Sequence, residues 1–285
     1  MNTALAEAPV TNASRAIAYR TRGSMHGPIT RLVSPGDVGE WIKPFIFLDL
    51  FASDSPDAFR GFGMHPHSGI ATLTYLIAGD LSYEDTTGKS GELHAGSVEW
   101  MRAGNGVWHT GAPVGNAPSL GFQLWVALPP ALENAPALSQ YLAADEVPQA
   151  GPARVLLGSH GGATSPIEAP SPMAYLAVQL RDGERWRYVP PAGHTVAWVA
   201  VATGALDAPG GAVVAEEFAM FEESAGAIDF TARGDTHFVL GSAAKHPHDL
   251  VMGRYSVHTS QAALAQGEAE IRRIGTQLRQ ERRLG

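Results

Sequence analysis

No stretch of this chain runs far before a glycine or proline interrupts it, and that punctuation constrains the fold more than any other feature: 32 glycines and 20 prolines are spread through 285 residues. Between the breaks lie short runs rich in Val, Ile, Leu, Thr, Trp and Tyr, side chains that suit a pleated, half-buried backbone, in segments too brief for helices. The clear runs are 45–51, 71–77, 96–102, 121–128, 173–180, 195–202 and 237–240. The reading is therefore all-β, with many short strands joined by turns. One segment departs from it. Thr259 or Ser260 can cap a helix, and Leu264, Ile271, Ile274 and Leu278 then share roughly one face. A helix over 261–282 is expected, kinked or interrupted at Gly267 or Gly275.

The pattern loosens between Pro129 and Pro172, where Pro-Pro, Gly-Pro, Gly-Gly and Ser-Pro pairs flank a weakly helical stretch near 132–144. Beyond it, residues 191–204 echo 67–79: each is a turn, a strand of about eight residues and then a glycine. A duplicated β-barrel or sandwich follows as the expectation. It comprises an N-terminal metal-binding unit over 1–138, a connection over 139–170, a second unit without metal over 171–258 and a C-terminal helix over 259–285.

Composition narrows the chemistry. With no cysteine at all, disulfides, thiolate ligands and cysteine nucleophiles are excluded, so any metal must be held by nitrogen and oxygen. A net charge of −8 repels nucleic-acid phosphates, and the only dense basic run is 279–283. No run of about 18 apolar residues occurs, and residues 1–21 lack a basic region followed by an apolar one. No nucleic-acid or membrane partner is expected, and the expected location is the cytoplasm. With no G-x-S-x-G elbow and no phosphate-binding loop, serine hydrolases and P-loop enzymes are disfavoured.

His65-Pro66-His67 is the segment with chemistry in it. On a strand, every second side chain faces the same way, so the pair presents two imidazoles together, and His109 on a partner strand can complete a three-nitrogen metal face. The bland alternative is a pair of ordinary loop histidines. Two residues beyond His109 stands Gly111, which offers no ligand. Gly104 and Gly106 read as turn devices that deliver His109, while Trp100, Met101 and Trp108 read as core. His94 and Glu99 face either the barrel interior or its rim. His194 reads as a satisfied structural histidine, and the second pair, His246 and His248, lacks a downstream partner motif.

These residues resemble the pirin family, a branch of the bicupins. The matching segments are Pro44-Phe45-Ile46-Phe47-Leu48-Asp49, His65-Pro66-His67-x-Gly69-x-x-Thr72-x-Thr74-Tyr75, Asp85-x-x-Gly88 and Trp100-Met101-x-Ala103-Gly104-x-Gly106-x-x-His109, with Gln123-Leu124-Trp125 and Tyr141-x-x-x-Asp145-Glu146 beyond them. The resemblance implies two jelly-roll β-barrels with a metal in the first only, held by His65, His67 and His109. It also implies a carboxylate ligand where this chain has Gly111, and a Glu where it has Ala71. Some family members cleave quercetin with O2. One divalent transition metal is expected, iron ahead of nickel, copper, cobalt or zinc. A small aromatic or enolic substrate and O2 go with it, and Phe62, Met64, Trp108 and Phe122 are expected to wall the pocket. The alternative is a non-catalytic protein that binds a protein partner, its metal structural or redox-sensing. A monomer or weak dimer is expected.

Overall fold

Ile70–Ala78 shows how the alternation of side chains builds the molecule. Ala71, Leu73 and Tyr75 face a large apolar core, while Thr72 and Thr74 face the opposite way, into a barrel. The computed structural model describes residues 14–54 and 61–284. Residues 1–13 and 55–60 of the expected first unit, and Gly285 after the C-terminal helix, lie outside the described residues.

The first barrel has two antiparallel layers. One is a seven-stranded sheet in the order Leu138–Leu142, Val98–Arg102, Ile70–Ala78, Ser119–Ala127, Phe45–Ser53, Ile29–Val33 and Ser24–His26. The other has four strands, Phe62–His67, Val107–Val114, Asp80–Asp85 and Ser90–Leu93 in that order. The second barrel is a nine-stranded sheet that curls on itself through two long strands, Val196–Ala208 and Ile228–Ala243. Their pairing shifts register between Val201 and Ala205, and such bulges bend a strand enough to close a barrel. The protein is an all-β bicupin of two jelly-roll barrels with a C-terminal helix.

The barrels meet through their large sheets. Leu73, Tyr75 and Trp100 of the first pack with Tyr175, Trp198 and Val239 of the second, and the Phe45 and Trp198 rings meet edge to face at 5.4 Å. Each such fully buried side chain contributes about 1.5–3 kcal/mol. The interiors differ. The second barrel is filled by Leu176, Val178, Val199, Phe221, Phe230 and Phe238. The first is lined in part by polar side chains, and a cavity opens there beside three histidines.

Strand pairing redraws three of the expected boundaries, the first of them at 138, since Leu138–Leu142 pairs with Val98–Arg102 in the first barrel. Ile17–Thr21, at the start of the chain, pairs with Phe218–Phe221 in the second barrel, and Ala153–Leu157, placed in the connection, pairs with Met173–Leu180. Backbone pairing between segments far apart in sequence leaves no mark on composition. The weakly helical stretch near 132–144 contains the strand Leu138–Leu142, and a single turn of 3-10 helix follows at Ala144–Glu146.

Among the described residues two α-helices complete the fold, a short α1 at Val38–Ile42 and α2 at Gln261–Gln280. Ser260 caps α2 by accepting from the Ala263 amide at 3.2 Å. The expected break at Gly267 or Gly275 is not found. Both glycines are buried against the first barrel, where a Cβ would lie 2.5 Å from Ser68 Oγ and 2.6 Å from Trp108 Cζ2 respectively. They permit close packing of an unbroken helix. No helix among the described residues is long and apolar enough to cross a membrane.

Candidate metal centre

His65 and His67 lie on the edge strand Phe62–His67, a position where the missing amide of Pro66 costs no inner ladder bond. Antiparallel pairing sets His109 opposite His65, and the three imidazoles offer nitrogens that all lie within 4.8 Å of one another. Gly104, at φ +53°, makes the turn that starts the His109 strand, and a Cβ there would meet Ala135 O at 2.1 Å.

Hydrogen bonds fix the direction of the rings. His65 Nδ1 donates to Gly63 O at 2.7 Å and His67 Nδ1 donates to Tyr255 O at 3.0 Å, so in each the Nε2 lone pair is left for the cluster. Burial pushes the His65 pKa down to about 4, helped by His109, and holds His67 well below its usual value. Both are therefore neutral at pH 7, the form that binds a metal. His65 Nε2 and His109 Nε2 are 3.0 Å apart. Two nitrogens about 2.1 Å from one ion and about 90° apart would have this spacing, so the donor set fits a transition metal.

Behind His109 lies Glu99, whose facing the sequence left open. It points into the first barrel, with Oε1 3.9 Å from His109 Nδ1 and Oε2 accepting from Thr74 Oγ1 at 2.7 Å. A carboxylate behind an imidazole orients the ring and raises its basicity.

A cavity of about 470 Å³ opens beside the three histidines. Phe47 and Trp125 stack at 4.2 Å on one wall, and Trp125 also meets the His67 ring edge to face at 4.8 Å. Arg31 makes two 3.0 Å bonds to the Asp49 carboxylate and lies 4.3 Å over Phe47. Burial raises the Asp49 pKa, against the opposing pull of Arg31. Gln123, Arg254 and Tyr255 also line the space.

Of the residues expected to wall the pocket, Phe62 does so and three do not. Phe122 lies on the opposite face of its strand, in the core between the barrels. Trp108 alternates out of phase with His109 and turns to α2, where its Nε1 donates to Ile271 O at 2.8 Å. Met64 is out of phase with His65 on its own strand and is absent from the lining. The same parity separates the two positions that lack a carboxylate. Gly111 shares its face of the strand with His109, and among the described residues a Cβ there would meet only Ser82 O, at 3.3 Å. Ala71 is fully buried in the inter-barrel core, on the far side of the sheet.

The remaining histidines lie elsewhere. His194 is buried and bonded to Ser242 Oγ at 2.8 Å, and His94 is exposed beside Asp80. His246 and His248 sit with ring centroids 5.2 Å apart, yet among the described residues only His65, His67 and His109 gather as a group of three. Sequence reasoning missed Arg31, Phe47, Asp49, Trp125 and Arg254. The alternation Phe47-x-Asp49 and Gln123-x-Trp125 was the available signal, once one residue of each strand was known to face inward.

Comparison with known proteins places these features. The pirin family model matches residues 29–126. A candidate quercetin 2,3-dioxygenase of Pseudomonas aeruginosa is 33% identical over 228 residues, covering 75% of this chain and 79% of its own length. Pirin of Rattus norvegicus is 30% identical over 187 residues, 64% of this chain and 60% of the rat protein. The crystal structure of quercetin 2,3-dioxygenase from Acinetobacter baumannii shares the fold, with a TM-score of 0.83 at 23% identity, over 92% of this chain and 98% of that one.

Proposed function

The chain belongs to the pirin family, and from that premise we propose that it is a metal-dependent dioxygenase in which His65, His67 and His109 hold one divalent transition metal beside a pocket for a flavonol-like or enolic substrate. The observation that carries the reading is the convergence of three imidazoles, two of them held neutral and aimed by backbone carbonyls, on the wall of an aromatic-lined cavity. A divalent ion there would act as a Lewis acid, lowering the pKa of a coordinated enol or phenol. The chain's own side chains do the rest. Phe47, Trp125 and Phe62 take the flat body of the substrate, and Gln123 with the Arg31–Asp49 pair presents polar atoms to its edge. Gly111 adds no negative charge, so the three ligands stay neutral and the centre is more electropositive than one with a carboxylate. Iron is the first choice of metal. A cytoplasmic location and a monomer or weak dimer complete the proposal.

A second reading is favoured by Gly111 itself. Without a carboxylate ligand the metal would be structural or redox-sensing, and the protein would work by binding a protein partner.

Elemental analysis of untagged protein beside the His65→Ala/His67→Ala variant tests both. About one equivalent of transition metal in the parent and none in the variant is expected for a three-histidine site. Oxygen uptake with quercetin or an enolic diketone then separates the readings. Metal without uptake favours the second. No metal after supplementation with iron, nickel, copper or zinc sinks both.

A further inference from the structure

The chain carries −8 overall, yet among the described residues the ionic side chains that line the cavity beside the three histidines are Arg31, Arg254 and Asp49. Arg31 and Asp49 neutralise one another through two hydrogen bonds. Arg254 does not share that neutralisation: it makes no hydrogen bond or ion pair with any described residue, and its guanidinium carbon rests 5.2 Å from the centre of the Tyr255 ring. That ring lies 6.5 Å from His65 and from His67, so a single tyrosine separates the free cation from the imidazole cluster. The Glu99 carboxylate stands behind His109 and outside the lining.

An unpaired guanidinium at the rim of an aromatic cavity is a carboxylate receptor, because its planar fork matches two carboxylate oxygens and the charged bonds are about twice as strong as neutral ones. The walls select a flat ring, through the stacked Phe47–Trp125 pair. We propose that the substrate is a hydroxyaryl carboxylate, its phenol oxygens at the three histidines and its carboxylate on Arg254. The inference rests on the metal-site reading above and deepens it by naming the ligand class. Arg254 is then the specificity residue for acids over neutral phenols.

Binding, with no turnover, decides it. Protein loaded with redox-inert zinc is titrated with 3,4-dihydroxycinnamate and with its neutral methyl ester, following fluorescence of the tryptophans, one of which forms the wall. The acid is expected to bind about threefold to fivefold more tightly than the ester, as one ion pair at an exposed guanidinium warrants, and the gap should narrow with salt. Arg254→Gln is expected to abolish the preference, and Arg254→Lys to restore part of it. Equal affinities for acid and ester in the parent, or a preference that survives Arg254→Gln, overturn the proposal with the metal site intact. Zinc failing to bind, together with loss of both ligands, overturns the metal-site reading and this inference with it.

Discussion

Gly111 and Ala71 look alike in the sequence, each a small residue where the family resemblance implies a carboxylate, and the structure makes them opposites. A side chain at Gly111 would project on the same face as His109, with Ser82 O the one atom of the described residues within 4 Å of its Cβ. Ala71 is enclosed by the apolar core between the barrels. Gly111→Glu is therefore expected to fold and to raise metal affinity about tenfold or more in competition with a chromophoric chelator, since it adds an anionic donor. Ala71→Glu is expected to lower stability by about 3 kcal/mol or more in denaturant titration, because a carboxyl is forced into a packed apolar site. Weakened metal binding in Gly111→Glu, or an unaltered midpoint in Ala71→Glu, would contradict the parity assigned to these strands. Parity also assigns Glu99, whose carboxylate reaches His109 from inside the barrel while Trp100 beside it packs outside.

At the scale of elements, α2 acts as a brace on the metal-bearing strands. Gly267 lies against Ser68, the neighbour of His67, and Gly275 lies against Trp108, the neighbour of His109. The Trp108 indole completes the contact by donating to Ile271 O at 2.8 Å. Beneath the helix, Ser68 Oγ, His258 and Glu133 form a chain of contacts, Ser68 to His258 Nε2 at 3.1 Å and His258 Nδ1 to Glu133 at 3.3 Å. The order resembles a serine hydrolase triad, but all three are buried and Glu133 is also occupied by the Thr259 amide and hydroxyl, so the chain of contacts fastens the start of the helix. Gly275→Leu is expected to destabilise by about 1–3 kcal/mol through overpacking against Trp108, read as a lower thermal midpoint, whereas Gln277→Ala on the exposed side should change it little. Equal midpoints for the two variants would show that the glycine contact is not needed.

Across the whole molecule, buried neutral histidines link stability to pH. His237, held between Tyr75 and Gln179 at the seam of the barrels, and His246 are both lowered to about 4, chiefly by burial, with Arg154 adding to the first and His248 and Lys43 to the second. An unfolded histidine takes up its proton near pH 6.5, so between there and about 4 the unfolded chain binds more protons than the folded one. Their contribution is present above about pH 6.5 and is lost as pH falls toward 4. The thermal midpoint of the metal-free protein is expected to drop over that window, and a His237→Gln/His246→Gln variant to show a shallower drop. A midpoint constant from pH 7 to 4.5 would refute this. The all-β class, the C-terminal helix and the three histidines were legible in the chain, because period, caps and an H-x-H pair are local and each is written in a few adjacent residues. The sequence could not determine that Ile17–Thr21 joins the second barrel, that Phe122 and Trp108 turn away from the cavity, that Arg254 lines it, or that Glu99 stands behind His109. Those were decided by strand pairing and by which sheet face was covered, and one residue's shift of register reverses every side chain on a strand.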